Sequence, residues 1–78
     1  MIRDIINGVR KIDKAIIQGN TGNPYVFAKA IGISERSLYE YIRFMKSFNA
    51  PILYDRKAQT YVYTKDGSFV IGFVKQSI

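Results

Sequence analysis

The sequence predicts an α+β domain of three helices followed by a small antiparallel sheet. Three observations point there. Apolar residues recur at helical steps through residues 2–17. Residues 23–49 then hold two shorter helical stretches, parted by Gly32, Ile33 and Ser34. From Pro51 onward the chain turns to β-branched and aromatic residues broken by polar turns.

The first helix rests on spacing alone. Ile2, Ile5, Ile6, Val9, Ile12, Ile16 and Ile17 recur at three- and four-residue steps, with charged residues between them. Isoleucine is a middling helix former, so the period and not the propensity decides. Gly19 ends the helix, and Asn20, Thr21 and Gly22 continue as a turn. Asn23 and Pro24 open the second helix as N-cap and N1. Its inner face is Phe27, Ala28 and Ile31, and Gly32 stops it. Ser34 caps the third helix, which runs to about Phe48 with Leu38, Tyr41, Ile42, Met45 and Phe48 on one face. Asn49 suits a left-handed cap, and Pro51 prevents continuation.

Beyond it, residues 52–54 read as a short strand, 55–59 as a charged loop and 60–64 as a second strand. Asp66 and Gly67 centre a hairpin turn, and residues 69–74 form a last strand that is apolar on both faces.

Length and composition bound the function. Seventy-eight residues make a single domain spanning 1–78. Folding at this size buries roughly 63% of the unfolded surface, enough for one small core. With 47% hydrophobic and 23% charged residues the chain is globular in composition. It has no cysteine and no histidine, which removes thiolate metal sites, disulfides and the usual general base. Its carboxylates do not converge: Glu35 and Glu40 lie roughly 140° apart on a helix. No phosphate-binding loop or dinucleotide fingerprint is present. The expectation is a protein that is not an enzyme, with no cofactor, metal or evident small-molecule effector. No targeting segment or membrane-spanning run is legible, so a cytoplasmic location and no membrane partner are expected. Twelve Lys and Arg against six Asp and Glu give a net charge of +6, which points to a polyanionic partner, nucleic acid first.

Two helices joined by Gly-Ile-Ser, the second longer and better capped, form the pattern of a helix-turn-helix. Each residue has a physical task. Ala28 is small where the helices cross, Gly32 takes the left-handed turn, Ile33 fills the corner, and Ser34 caps the second helix where a phosphate oxygen would approach. The same pattern also serves an αα-hairpin used only for packing.

Residues 24–57, beginning PYVFAKAIGISERSLYEYIRFMKSFNAPILYD, resemble the small winged-helix domains at the N-termini of bacterial transcriptional regulators. The biotin repressor and the deoxyribose-operon-repressor type are examples. The likeness is to the family's Leu-Ala-x-x-Leu-Gly-Ile-Ser-x-Arg-Thr-Leu-Tyr-x-x-Ile pattern, followed by Gly-x-Pro-Ile and a Tyr-rich wing. With the first helix and the strand at 60–64 it covers about residues 2–64. It implies a winged helix-turn-helix that binds double-stranded DNA, with the third helix in the major groove and loop 55–59 as the wing. Asn49 stands where the family has glycine, and Lys57, Ala58 and Gln59 where it often has Gly-Gly. Most relatives carry an effector domain, which this sequence does not show.

Spacing assigns the outer face of the third helix. With Leu38, Ile42 and Met45 inward, Arg36, Tyr39, Glu40, Arg43 and Lys46 face out, and Ser37 lies near the N-terminal edge. Arginine can bridge guanine O6 and N7, and glutamate can accept from cytosine N4. A solvated face with Arg36–Glu40 and Glu40–Arg43 pairs is the alternative. Lys29, Arg56 and Lys57 are candidates for phosphate contact, with Ser34 at the helix start. Two rival functions remain open: a winged helix whose third helix meets an acidic protein, and a single-stranded nucleic-acid binder that stacks bases on Tyr61 and Tyr63.

The tail carries a further expectation. A two-residue turn at Asp66 and Gly67 would pair Thr64 with Phe69 and Tyr63 with Val70. Val62, Phe69, Ile71 and Phe73 would then pack on the helices, leaving Tyr61, Tyr63, Val70 and Val74 on the outer face. That face would be apolar and edged by an unpaired strand, so a homodimer through it is expected, the alternative being a monomer whose tail completes a three-stranded sheet.

Overall fold

A computed structural model describes residues 2–70, with side chains from residue 5 onward. Five elements follow in order: α1 (Ile2–Gln18), α2 (Pro24–Ile31), α3 (Glu35–Ser47), β1 (Ile52–Asp55) and β2 (Thr60–Tyr63). The two strands form one antiparallel hairpin, pairing Ile52 with Tyr63, Leu53 with Val62, Tyr54 with Tyr61 and Asp55 with Thr60. The chain is thus a small α+β domain of three helices and a two-stranded sheet.

The helix boundaries follow from local chemistry. Asn23 is extended and its side chain accepts from the Val26 amide at 2.9 Å, directly before Pro24. Gly32 takes φ +79, and the Ile33 amide turns back to the Ala28 carbonyl at 2.9 Å. Ser34 accepts from the Ser37 amide at 3.0 Å and caps α3, which starts at Glu35. At the far end Asn49 takes φ +70 and the Ala50 amide reaches the Met45 carbonyl at 3.1 Å, so asparagine serves where glycine is commoner.

The core lies between the three helices and the inner face of the hairpin. Val9, Ile12 and Ile16 of α1 meet Phe27 and Ala28 of α2, Leu38, Ile42 and Met45 of α3, and Ile52 and Tyr61 of the sheet. Helix α1 passes close to α3 at Gly8, where a Cβ would fall 2.5 Å from the Tyr41 ring. A side chain at position 8 would force that ring to shift.

Three expectations are corrected. First, the sheet faces are reversed. Tyr61 is 6% exposed and packs on Phe27 at 5.7 Å between ring centroids and on Tyr54 at 4.9 Å. Tyr63 also packs against the core, and its hydroxyl donates to Asp13 Oδ1 at 2.6 Å. Leu53, paired with Val62, is exposed instead. Two tyrosines bury more area than Val62 does, and Tyr63 keeps its hydroxyl paired on the way in. Second, residues 64–66 form a bend and 67–70 are not strand. The Phe69 amide donates to Asp13 Oδ1 at 2.8 Å, so it does not pair with Thr64. Phe69 still packs on the core as expected, whereas Ile71, Phe73 and Val74 lie outside the described residues. Third, Phe48 falls beyond the last turn of α3 and is exposed, with its ring against Phe44 and Phe69.

One buried polar contact ties the hairpin to the helices. The Thr21 amide donates to Thr60 Oγ1 at 2.8 Å, and the Tyr61 amide donates to Thr21 Oγ1 at 2.9 Å. Thr21 therefore closes the free edge of β2 with its side chain, which fixes the start of β2 relative to the α1–α2 turn.

Candidate nucleic-acid interface

Helix α3 is held by its buried side, so its other side is fixed in direction. With Leu38, Ile42 and Met45 in the core, Glu35, Arg36, Tyr39, Glu40 and Arg43 line one open, shallow groove. The Arg36 side chain is 89% exposed and its Nε lies 3.4 Å from Glu40 Oε2. An exposed i, i+4 pair of this kind holds its partners by about 0.5 kcal/mol or less, so Arg36 is available to a competing acceptor. Tyr39 is half exposed beside them. Glu35 is the groove residue that outward spacing passed over; its position four residues before Tyr39 was the available signal. Two arginines and two glutamates leave the groove formally neutral, which composition alone did not reveal.

The Tyr61 hydroxyl is pushed up to about 12, first by burial and then by Tyr39, Tyr54 and Glu35. Tyr63 is raised as well, by burial first and then by its hydrogen bond to Asp13 and the charge of that carboxylate.

The remaining expected contacts lie outside the groove lining. Ser34 Oγ is engaged as the α3 cap and bonds Ser37 Oγ at 3.1 Å, with Ser37 half-buried. Lys46 is exposed one turn beyond Arg43. Lys29 is exposed on α2, and its Nζ donates to the Tyr25 hydroxyl at 3.2 Å. Tyr25 is a further exposed polar aromatic, found only through that contact. Arg56 and Lys57 lie on the exposed loop between the strands. Asp55 Oδ1 accepts the Lys57 and Ala58 amides at 3.0 and 3.1 Å, and Gln59 takes φ +51. An Asx turn and one left-handed glutamine therefore shape this loop without glycine.

Of the residues expected for dimer contact, Tyr61 and Tyr63 pack against the core, Val70 is 65% exposed and lines a cavity with Tyr63, and Val74 lies outside the described residues. Among the described residues no group of three or more acidic side chains is placed to hold a metal ion, and no helix is long and apolar enough to cross a membrane.

Comparison with known proteins gives no relative: no protein family, no curated protein and no solved structure matches this chain.

Proposed function

We propose that this chain is a winged helix-turn-helix domain that binds double-stranded DNA by sequence and acts as a small transcriptional regulator. The observation that carries this reading is the groove on α3: Arg36, Tyr39, Glu40 and Arg43 lie together on one exposed side of a helix anchored by the opposite side. A single helix of this width enters a major groove, where Arg36 and Arg43 would meet guanine O6 and N7 and Glu40 would accept from cytosine N4. Lys29, Lys46, Arg56 and Lys57, all exposed, are the candidates for phosphate contact. The hairpin loop 55–59, whose foot is tied to the α1–α2 turn through Thr60 and Tyr61, is the wing.

Stacking of single-stranded bases on Tyr61 and Tyr63 is disfavoured, because the Tyr61 ring is 6% exposed and Tyr63 is half-buried against the core, so the two do not offer paired ring faces. A protein partner on the same face of α3 is the remaining rival, favoured by the even split of charge in the groove. Binding selections on randomised duplexes separate the two. Arg36→Ala and Arg43→Ala should each cost about 1–3 kcal/mol and relax base preference, while Lys57→Ala weakens all sequences alike. Unchanged affinity and preference in both arginine variants would remove α3 as the reading helix.

A further inference from the structure

Half of the net charge lies outside the region just described. Residues 24–57 carry six basic against three acidic side chains, and the rest of the chain carries the same six against three. Much of the second half is on α1. Arg10, Lys11 and Lys14 are all exposed, whereas Val9, Ile12 and Ile16 are buried. At about 100° per residue the three cations lie within about 60° of the direction opposite that apolar stripe. Asp13, on the same helix, is turned aside and accepts from Tyr63 and Phe69. Among the described residues the ion pair found is Arg36–Glu40, on the other side of the core. The exposed side of α1 is thus a basic strip, more positive than the neutral α3 groove, and directed away from it because both helices turn their apolar sides to the same core.

We infer that the Arg10, Lys11 and Lys14 face of α1 is a second, sequence-independent binding surface for the sugar-phosphate backbone of duplex DNA, so that one chain holds two duplex segments. Charge complementarity argues for a polyanion. Rise argues for a duplex backbone: Arg10 to Lys14 spans about 6 Å of helix axis, close to two phosphates at about 3.4 Å per strand step. A membrane surface fits less well, since an interfacial helix needs a free apolar side and that of α1 is already in the core. Two lysine ammonium groups and one guanidinium on flexible stems suit contact with backbone phosphates, which carries no sequence information.

The test is capture of a labelled duplex by a bead-bound duplex in the presence of the protein, comparing wild type with Arg10→Ala/Lys11→Ala/Lys14→Ala. All three sites are exposed, and circular dichroism checks that the triple variant stays folded. Wild type should retain the second duplex, and the triple variant should lose more than about tenfold of that retention, as expected for three phosphate contacts removed. Retention by the triple variant at the wild-type level, as a dimer joined elsewhere would give, overturns the inference, and so does a wild type that retains none. Binding to anionic vesicles lost in the triple variant, without duplex capture by wild type, overturns it in favour of a lipid surface. The bridging rests on α3 holding the first duplex, so binding of a single labelled duplex by Arg36→Ala/Arg43→Ala is measured alongside: binding that persists there and is lost when the three α1 changes are added supports the α1 surface even where α3 fails, and binding unaffected by the α1 changes overturns it.

Discussion

Thr60→Val removes one hydroxyl from the joint between the hairpin and the helices and changes almost nothing else. Thr60 and Thr21 are both buried, at 8% and 7% exposure. Valine has nearly the shape of threonine, so no cavity opens, and its β-branch suits a strand equally well. What is lost is the acceptor for the Thr21 amide at 2.8 Å, together with the 3.3 Å contact between the two hydroxyls and the 3.3 Å donation to the Tyr61 carbonyl. Thr21 Oγ1 still accepts from Tyr61 and reaches the Gly22 carbonyl, so the main loss is the Thr21 amide, left buried without its acceptor. That costs about 2 kcal/mol, within the range for an orphaned buried donor. For a chain of this size, total stability is on the order of 4–12 kcal/mol, so the loss is large. It corresponds to a fall in Tm of about 8–16 °C. Urea unfolding should show the midpoint lowered with an unchanged slope. Thr64→Val, at an exposed position, is the control and should stay within about 0.5 kcal/mol of wild type. Thr60→Val as stable as that control would refute the claim that this hydroxyl pins β2 to the α1–α2 turn.

Three further outcomes follow from the same contacts. Tyr61 and Tyr63 both ionise at higher pH folded than unfolded, so their contribution is complete below pH about 10 and is lost as pH rises towards about 12; alkaline unfolding should begin in that window. Tyr63→Phe removes the donor to Asp13, should cost about 1–3 kcal/mol at neutral pH, and should flatten part of the alkaline decline, read by denaturant midpoints across pH. Ser34→Ala removes the α3 cap and should cost about 1 kcal/mol by thermal melting, because the Ser37 amide loses its acceptor. Gln59→Gly relieves a left-handed residue at φ +51 and should gain about 0.5–1 kcal/mol in the same melt.

The helices were legible because what ends them is local. Asn23 before Pro24, Ser34 three residues before its partner Ser37, and Asn49 in the left-handed region each act within a turn of their own position. The α3 groove was legible for the same reason, since its residues lie on one helix and their spacing fixes a side. The sheet face was not. Tyr61, Val62, Tyr63 and Thr64 offer large side chains on both sides, and the choice between them is made far away in sequence. Thr21 settles the edge of β2 from 40 residues off, and Asp13 settles Tyr63 from 50. The tail shows the same conflict: Asp66 and Gly67 carry a strong hairpin signal, but Asp13 takes the Phe69 amide that a third strand would need. Gly8 gave no signal at all, because its role depends on where the Tyr41 ring falls.

The most direct test of the central claim is equilibrium binding of the wild-type chain to duplex DNA as salt is raised from about 50 to 200 mM. Sequence-selective binding by α3 with phosphate contacts from Lys29, Lys46, Arg56 and Lys57 should neutralise about four to six phosphates. The slope of log K against log salt should then be about −4 to −5. An affinity that stays flat across that range, or no duplex binding at its low end, would contradict the claim.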